Sequence, residues 1–519
     1  MEQRRVREGV KHGSGGFEFP QVYVADKSKV TKLLKKGEQD LVEFSRWSTA
    51  DDFMHFVLKM GFLEFADRTY PSPRKKTEVP VWFLVCSQLL LRLHTQCSYS
   101  DLSTFLKSGS ILSRVGFNIG RRIGFNAKNK QPRCMPCDQD TVRKFFKHTN
   151  AKQLRDWCCG DLQSWFLKNS AVDTEGVFIL DQTHLVVPDN DNYRDAVRMP
   201  VDEHGQLYKG KKEEIEKLKW HPCYTLSTLL SLKRDGRSLH YAGYEFGPGN
   251  EDELAQARRI LDRFHTACGK SIIKLLICDR GYISGEFINL CKEVYGCDVL
   301  IPLRTSMVQY QDALAIAKME DSWDIISDPE QENRREQGKK FKILSACTIG
   351  DIKLWDTCQH PLYVTIVKTK KGDSWETREV NYFALCSTCK FSSPLKVYQS
   401  YRLRSRVEEC FRQIKNVWFV NKFPSPHRSL LEAHVGFILL TYSLLSLYLR
   451  QSKQHDLITK FVSTVRKEAL AHDETNVVVA YSKNVFGLFG TKEYLQLICS
   501  LGEEERNRYI GCLNAVNQL

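Results

Sequence analysis

The stretch VFILDQTHLVV, residues 177–187, is an apolar run of strand length with one aspartate, Asp181, inside it. Upstream the pattern is mainly helical. Here it turns to strands, and that change decides the fold. An aspartate within an apolar strand is costly to bury as an anion unless something positive compensates it. The situation recurs in IIKLLICDRGY, where Asp279 ends a second buried strand. Taken singly, either carboxylate is equally well read as capping a loop or pairing with a nearby base.

Between and after these strands the order is regular. YTLSTLLSLKR and SLHYAGYEF flank the turn DGRS, a hairpin signal. EDELAQARRILDRFHTAC has helical periodicity, and SGEFINLCKEVYG with CDVLIPL adds a helix and a strand beyond Asp279. The order β-β-β-α-β-α-β predicts an α/β fold, a mixed sheet with helices packed on it. It spans residues 175–304. Residues 305–395 then read as a β-rich insertion, from KFKILSACTIGDIKLWD, PLYVTIVKTKK and TREVNYFALCS. Residues 396–450 return to the core, residues 1–170 read as a helical region, and 451–519 as a helical C-terminal region.

After the insertion comes YRLRSRVEECFRQIK, residues 401–415. At about 100° per residue, Tyr401, Arg404, Glu408 and Lys415 share a stripe roughly 60° wide. Glu409 falls off it. Val407, Phe411, Ile414 and Trp418 group directly beside it, so the polar stripe borders a buried face and looks into a crevice. Glu408, not Glu409, is the glutamate that looks there.

The chain carries a net charge of +14, and residues 1–150 hold 26 Lys and Arg against 15 Asp and Glu. No acid lies between Asp101 and Asp138, a span that includes Lys107, Arg114, Arg121, Arg122, Lys128, Lys130 and Arg133. Such a segment is either a phosphate-binding surface or a solvated basic loop, and the concentration of charge favours the first. MEQRRVREGVKHGSGG has no apolar core of a secretory signal, and the apolar run Val435–Leu449 reads as a buried helix rather than a membrane span. Eighteen cysteines without a secretory signal fit free thiols in the cytoplasm, with no membrane partner.

Tyr401, Arg404, Glu408 and Lys415 fit Y-x2-R-x3-E-x6-K without a mismatch. With LDQTHL around Asp181 and CDRGY around Asp279, the chain resembles the DDE transposases of bacterial insertion sequences, in the insertion-sequence-four-like group marked by that YREK signature. The spacings agree, 98 residues from Asp181 to Asp279 and 129 from Asp279 to Glu408, the gap in which the group carries a β-strand insertion. The resemblance covers about residues 175–450. It implies a ribonuclease-H-like catalytic core preceded by a helical DNA-binding region, and a bacterial, nucleoid-associated location.

It also implies the chemistry. Asp181, Asp279 and Glu408 would hold two Mg²⁺ ions about 4 Å apart, with Mn²⁺ able to substitute, Asp181 bridging both. Water would free a 3′-hydroxyl at the element end, and that hydroxyl would attack target DNA. Tyr401, Arg404 and Lys415 would contact DNA near the scissile phosphate. The partner is double-stranded DNA, element ends and target. Because two ends need two sets of acids and the chain shows no internal repeat, the active complex would be a homodimer or larger. The alternatives are a nuclease with the same core but no strand transfer, and a non-catalytic DNA-binding descendant.

Zinc is disfavoured. Cys134 and Cys137 form a C-x2-C, but Cys158 and Cys159 are adjacent and poorly placed for one tetrahedral site. Trp355 and Trp375 in the insertion read as core, or as a platform for an unstacked base.

Overall fold

Val177–Val186 forms a strand, β1, because apolar and β-branched residues follow one another without a helix period, and its residues up to Asp181 are almost wholly buried. The computed structural model describes residues 22–516 apart from 75–78, 95–97, 103–123, 126–131, 134–136, 174, 204–206, 209, 211, 233–238, 321–322, 340, 353–354, 372–379 and 452–474. Two compact units divide the chain, Arg155–Asn416 and a second made of Met1–Leu154 with Val417–Leu519.

The unit Arg155–Asn416 is built on one large mixed sheet. After β1 come β2 (Val197–Val201), β3 (Lys219–Leu232), β4 (Leu239–Pro248), β5 (Leu275–Cys278) and β6 (Asp298–Pro302). β1 pairs antiparallel with β3 and parallel with β5, and β5 pairs parallel with β6. β4 lies antiparallel on β3, so five strands run β4-β3-β1-β5-β6, consistent with a ribonuclease-H-like core. The short strand β2, which the sequence does not announce, shares the same edge of β3 at Lys219–Cys223.

Residues 305–395 supply β7 (Asp324–Ile326), β8 (Lys342–Ile352), β9 (Leu362–Lys371) and β10 (Val380–Ser387), with helices Val308–Met319 and Pro329–Glu336. These strands do not stand apart as a separate body. β10 pairs antiparallel with β6 and carries β9, β8 and β7 outward in the same sheet. The physical reason is the edge of β6, a buried apolar strand whose backbone groups need partners on both sides. Trp355 packs against the main core, and Trp375 lies outside the described residues.

Strand alternation sorts the two sheet faces. Phe178 and Leu180 enter a core with Ala257, Ile260, Leu261 and Phe264 of the helix Glu253–Cys268. Ile179, Asp181 and Thr183 alternate to the opposite face. There the helix Ser405–Asn416 buries Val407, Cys410, Phe411 and Ile414.

The other unit corrects two sequence expectations. Its helices Thr49–Lys59, Val81–Leu93 and Gln139–His148 form, the last capped by Asp138, whose carboxylate accepts from the Asp140 amide. Leu41–Trp47, however, is a strand. It pairs with Thr475–Ser482, which pairs in turn with Val485–Gly490, so neither 1–170 nor 451–519 is helical throughout. The partner strands are more than 400 residues apart, and no local pattern records the pairing. Arg428–Gln451 is a 24-residue helix, buried from Leu430 to Leu449, and falls within this unit. Inside it His434 Nδ1 meets Arg92 Nη1 at 2.7 Å and Nε2 meets the Phe419 carbonyl at 3.1 Å. Burial and then Arg92 hold that imidazole neutral.

One buried charge cluster anchors the unit Arg155–Asn416. Glu245 on β4 is met by Arg155 at 2.7 Å, by Arg259 at 3.3 Å and by Arg263. Burial pushes its carboxyl up, but the guanidiniums of Arg155, Arg263 and Arg259 overturn that and leave it below the ordinary value. Removing one partner of such a cluster leaves buried charge unmatched, so Glu245→Ala should cost roughly 3–5 kcal/mol of unfolding free energy in urea titration. A lowered folded-state value means that the stabilisation is present above the unfolded value of about 4.3 and is lost as pH falls through the folded one. The difference between wild type and Glu245→Ala should therefore shrink on acidification below pH 4.

Candidate active site

The pairing of β1 with β5 brings the two aspartates together. Their parallel register ends at Leu180↔Cys278, and the next residues along the chain are Asp181, still within β1, and Asp279, just past β5. Ninety-eight residues of chain thus close to one step of a sheet, where the parallel pairing of β1 with β5 ends and beside the carboxyl end of β5, the end at which such sheets hold ligands.

Each carboxylate is fixed by its own backbone. Asp181 Oδ1 accepts from the Gln182 amide at 2.8 Å. Asp279 caps the turn Arg280–Tyr282, its Oδ1 accepting from the Arg280 amide at 2.5 Å. Their other oxygens converge on one group: Arg404 Nη2 donates to Asp181 Oδ2 and to Asp279 Oδ2, both at 3.0 Å. Arg404 Nη1 donates to Glu408 Oε1 at 2.9 Å. A single guanidinium therefore bridges acids from β1, β5 and the helix Ser405–Asn416.

The helical stripe is broken where it matters most. Tyr401 belongs to a preceding helix, Pro394–Arg402, and Leu403 and Arg404 form the joint between the two. The amides of Arg404, Arg406 and Val407 bond to carbonyls three residues back, a tighter turn than the α-helix assumed from the spacing. Ser405 donates its hydroxyl to the Arg402 carbonyl at 2.8 Å, satisfying one of the orphan acceptors at the end of the first helix. Arg404 and Glu408 still meet, and Lys415 Nζ donates to Thr183 Oγ1 on β1 at 2.7 Å. Tyr401 lies within electrostatic reach of Arg404, Asp279 and Asp181, and burial pushes its phenol up to about 12.

Glu409 points elsewhere. Arg412 holds it from Nε at 2.7 Å and Nη2 at 2.6 Å, and Gln413 adds a bond at 2.8 Å. The hydrogen bond from Arg412 is the main cause that lowers its carboxyl.

Sequence reading missed a fourth acid. Glu253 opens the helix Glu253–Cys268, beside its N-cap Asp252. Its carboxylate lies against Gly281, so close that a Cβ built there would stand 2.1 Å from Glu253 Oε2. Its sequence signal, acid after acid at a helix start, reads as capping and dipole compensation. Lys107, Arg114, Arg121, Arg122, Lys128 and Lys130 lie outside the described residues, and of Arg133 only the backbone is described, in a two-residue strand paired with Gly124–Phe125. Cys134 also lies outside them. Cys159 is buried, its thiol bonded to the Tyr244 backbone at 3.4 Å and pushed up to about 12 by burial.

A sheet of this order, with one acid within β1 and another just past the neighbouring β5, is consistent with a ribonuclease-H-like DDE domain. The family model of the transposase DDE domain matches residues 173–444, just over half of the chain and inclusive of Asp181, Asp279 and Glu408, and the chain belongs to that family. No curated protein matches the chain.

The residues present fit divalent cations. The donors are hard carboxylate oxygens, and three of them already gather round one positive charge that they outnumber. Among the described residues no three acids, histidines or cysteines form a ready metal cage. Arg404 stands in their midst instead.

Burial raises the Asp181 carboxyl to about 6, with Arg404 and the Gln182 amide opposing and Asp279 and Glu253 adding to the rise. A raised folded-state value contributes stability that is full below the unfolded value of about 3.9 and lost as pH rises through the folded one. In chelator, the stability of wild type minus that of Asp181→Asn should fall between pH 4 and pH 6.5. A flat difference in thermal midpoints across that range would show that the burial is not felt.

Proposed function

We propose that this chain is a cut-and-paste DNA transposase of the group marked by Y-x2-R-x3-E-x6-K. It binds the terminal inverted repeats of its element, hydrolyses the phosphodiester at each end and joins the freed 3′-hydroxyl to target DNA. The observation that carries the reading is the guanidinium of Arg404 shared by Asp181, Asp279 and Glu408, since it makes three residues distant in sequence one acidic site.

Asp181, Asp279 and Glu408 are the residues that would hold two Mg²⁺ ions, or Mn²⁺ in their place. Bound there, the ions supply an activated water and stabilisation of the leaving oxygen. The chain's own part is positional. The two aspartates are set by adjacent strands, so their spacing does not depend on a loop. Glu408 stands on the first turn of its helix and meets the same guanidinium as the aspartates. Tyr401 keeps its proton at neutral pH, which makes it a hydrogen-bond donor for a phosphate oxygen, and Arg404 and Lys415 supply the cationic contacts.

DNA is held by the basic stretch from Lys107 to Arg133 within residues 1–170. A homodimer or larger assembly processes the two ends, because each chain supplies one set of acids.

Alanine at Asp181, Asp279 or Glu408 should bring Mg²⁺-dependent cleavage of element-end DNA to background while DNA retention persists, and Glu409→Ala should cleave normally. Loss in Glu409→Ala with full cleavage by Glu408→Ala would reverse the choice of glutamate. Cleavage without reinsertion of an excised donor would favour a nuclease, and neither activity a non-catalytic DNA-binding protein.

Full-length protein carrying Arg121→Ala and Arg122→Ala should bind duplex DNA more weakly, with a salt slope reduced by about two. An unchanged slope would remove that stretch from the DNA interface.

A further inference from the structure

Arg404 occupies the point on which the three carboxylates converge. One of its nitrogens lies 3.0 Å from an oxygen of Asp181 and 3.0 Å from an oxygen of Asp279, while the other terminal nitrogen lies 2.9 Å from Glu408. A divalent ion held by the same oxygens would sit closer to them, at roughly 2.0–2.1 Å for Mg²⁺, and cannot share that space with a guanidinium. The seat is also imperfect for the arginine. Its Nε is buried and has no hydrogen-bond partner among the described residues, so part of the group is desolvated without return. Arg404 further sits at the joint between two helices rather than within either.

We propose that Arg404 is an internal counter-ion that competes with divalent metal for the carboxylates, and that its transfer to a DNA phosphate couples metal binding to DNA binding. The inference rests on reading Asp181, Asp279 and Glu408 as the metal site. A phosphate offers the guanidinium two parallel charge-assisted bonds, a match for its planar fork. Once Arg404 turns to the phosphate, the acids lose their cation and draw in a metal ion. By linkage, DNA must raise metal affinity by the same factor by which metal raises DNA affinity. The free protein then keeps its hydrolytic site closed by its own side chain, and opens it on DNA.

The test is Mn²⁺ binding to the full chain, followed by calorimetry and by the electron-spin resonance signal of free Mn²⁺. Wild type, Arg404→Gln and Arg404→Lys are compared, with circular dichroism to confirm folding. Without DNA, Arg404→Gln should bind Mn²⁺ about tenfold more tightly than wild type, or more, within the range usual for coupled sites. Arg404→Lys should also bind more tightly, because one ammonium cannot span three carboxylates as the fork does, and it decides the matter if the glutamine variant fails to fold. Addition of a random-sequence duplex should tighten Mn²⁺ binding to wild type and leave Arg404→Gln unchanged.

Equal or weaker Mn²⁺ binding by the two variants would overturn the competition while leaving the metal site standing. A duplex that tightens wild type and Arg404→Gln alike, or neither, would overturn the transfer to phosphate. No Mn²⁺ binding by any of the three, with Asp279→Asn indistinguishable from them, would overturn the metal site itself.

Discussion

Placing Asp181 within a buried strand sets the terms for everything around it. Water is largely excluded there, so the carboxylate must either keep its proton or find a cation, and the Asp181 side chain retains only 10% of its exposure. The parallel register with β5 then sets Asp279 beside it, which worsens the demand by like-charge repulsion. Two anions one strand apart call for a positive group between them. Arg404 answers that demand, and the position of the helix Ser405–Asn416 follows from it.

The surrounding sheet makes the demand rigid rather than negotiable. β3 is buried from Pro222 to Leu232, covering one side of β1, and β5 covers the other. On the face opposite Asp181, Gln182 reaches Gln256 at 3.0 Å, and Gln256 reaches Thr225 at 2.9 Å and Glu251 at 2.8 Å. This polar network ties β1 and β3 to the start of the helix that carries Glu253. Glu245 with its three arginines fixes the same helix further along, through Arg259 and Arg263. Charge burial is thus satisfied in two ways: around Glu245 by arginines that are matched in turn, Arg259 by Glu251 and Arg263 by Asp156, and around Arg404 by surplus anions. Only the second leaves a place for further positive charge.

Much of this was legible in the sequence, for local reasons. Apolar runs of strand length, a helical period between them and an aspartate in the wrong company are all features of a few consecutive residues. They suffice for the order of β1, β3, β4, β5 and β6 and for the pairing of interest in Asp181 and Asp279. The contact of Glu408, rather than Glu409, with Arg404 also follows from a local period, since Glu408 lies four positions after Arg404 and the contact survives the tightened turn. What stayed hidden depends on distant partners. Leu41–Trp47 is a strand because Thr475–Ser482 lies beside it, and β10 extends the core sheet because β6 offers a buried edge. The break at Leu403–Arg404 has only Ser405 as a local mark. Glu253 was hidden because Gly281, against which its carboxylate lies, is brought to it by tertiary packing.

Exposure rises through the acids in a definite order, from 10% at Asp181 to 42% at Asp279 and 63% at Glu408. The first two are held by strand backbone and by amides of the following residue, so their oxygens have little freedom. Glu408 stands at the mouth, on a helix whose position depends on packing against β1. Arg404, a single charge, already reaches all three, so the least exposed acid and the most exposed one answer to the same cation.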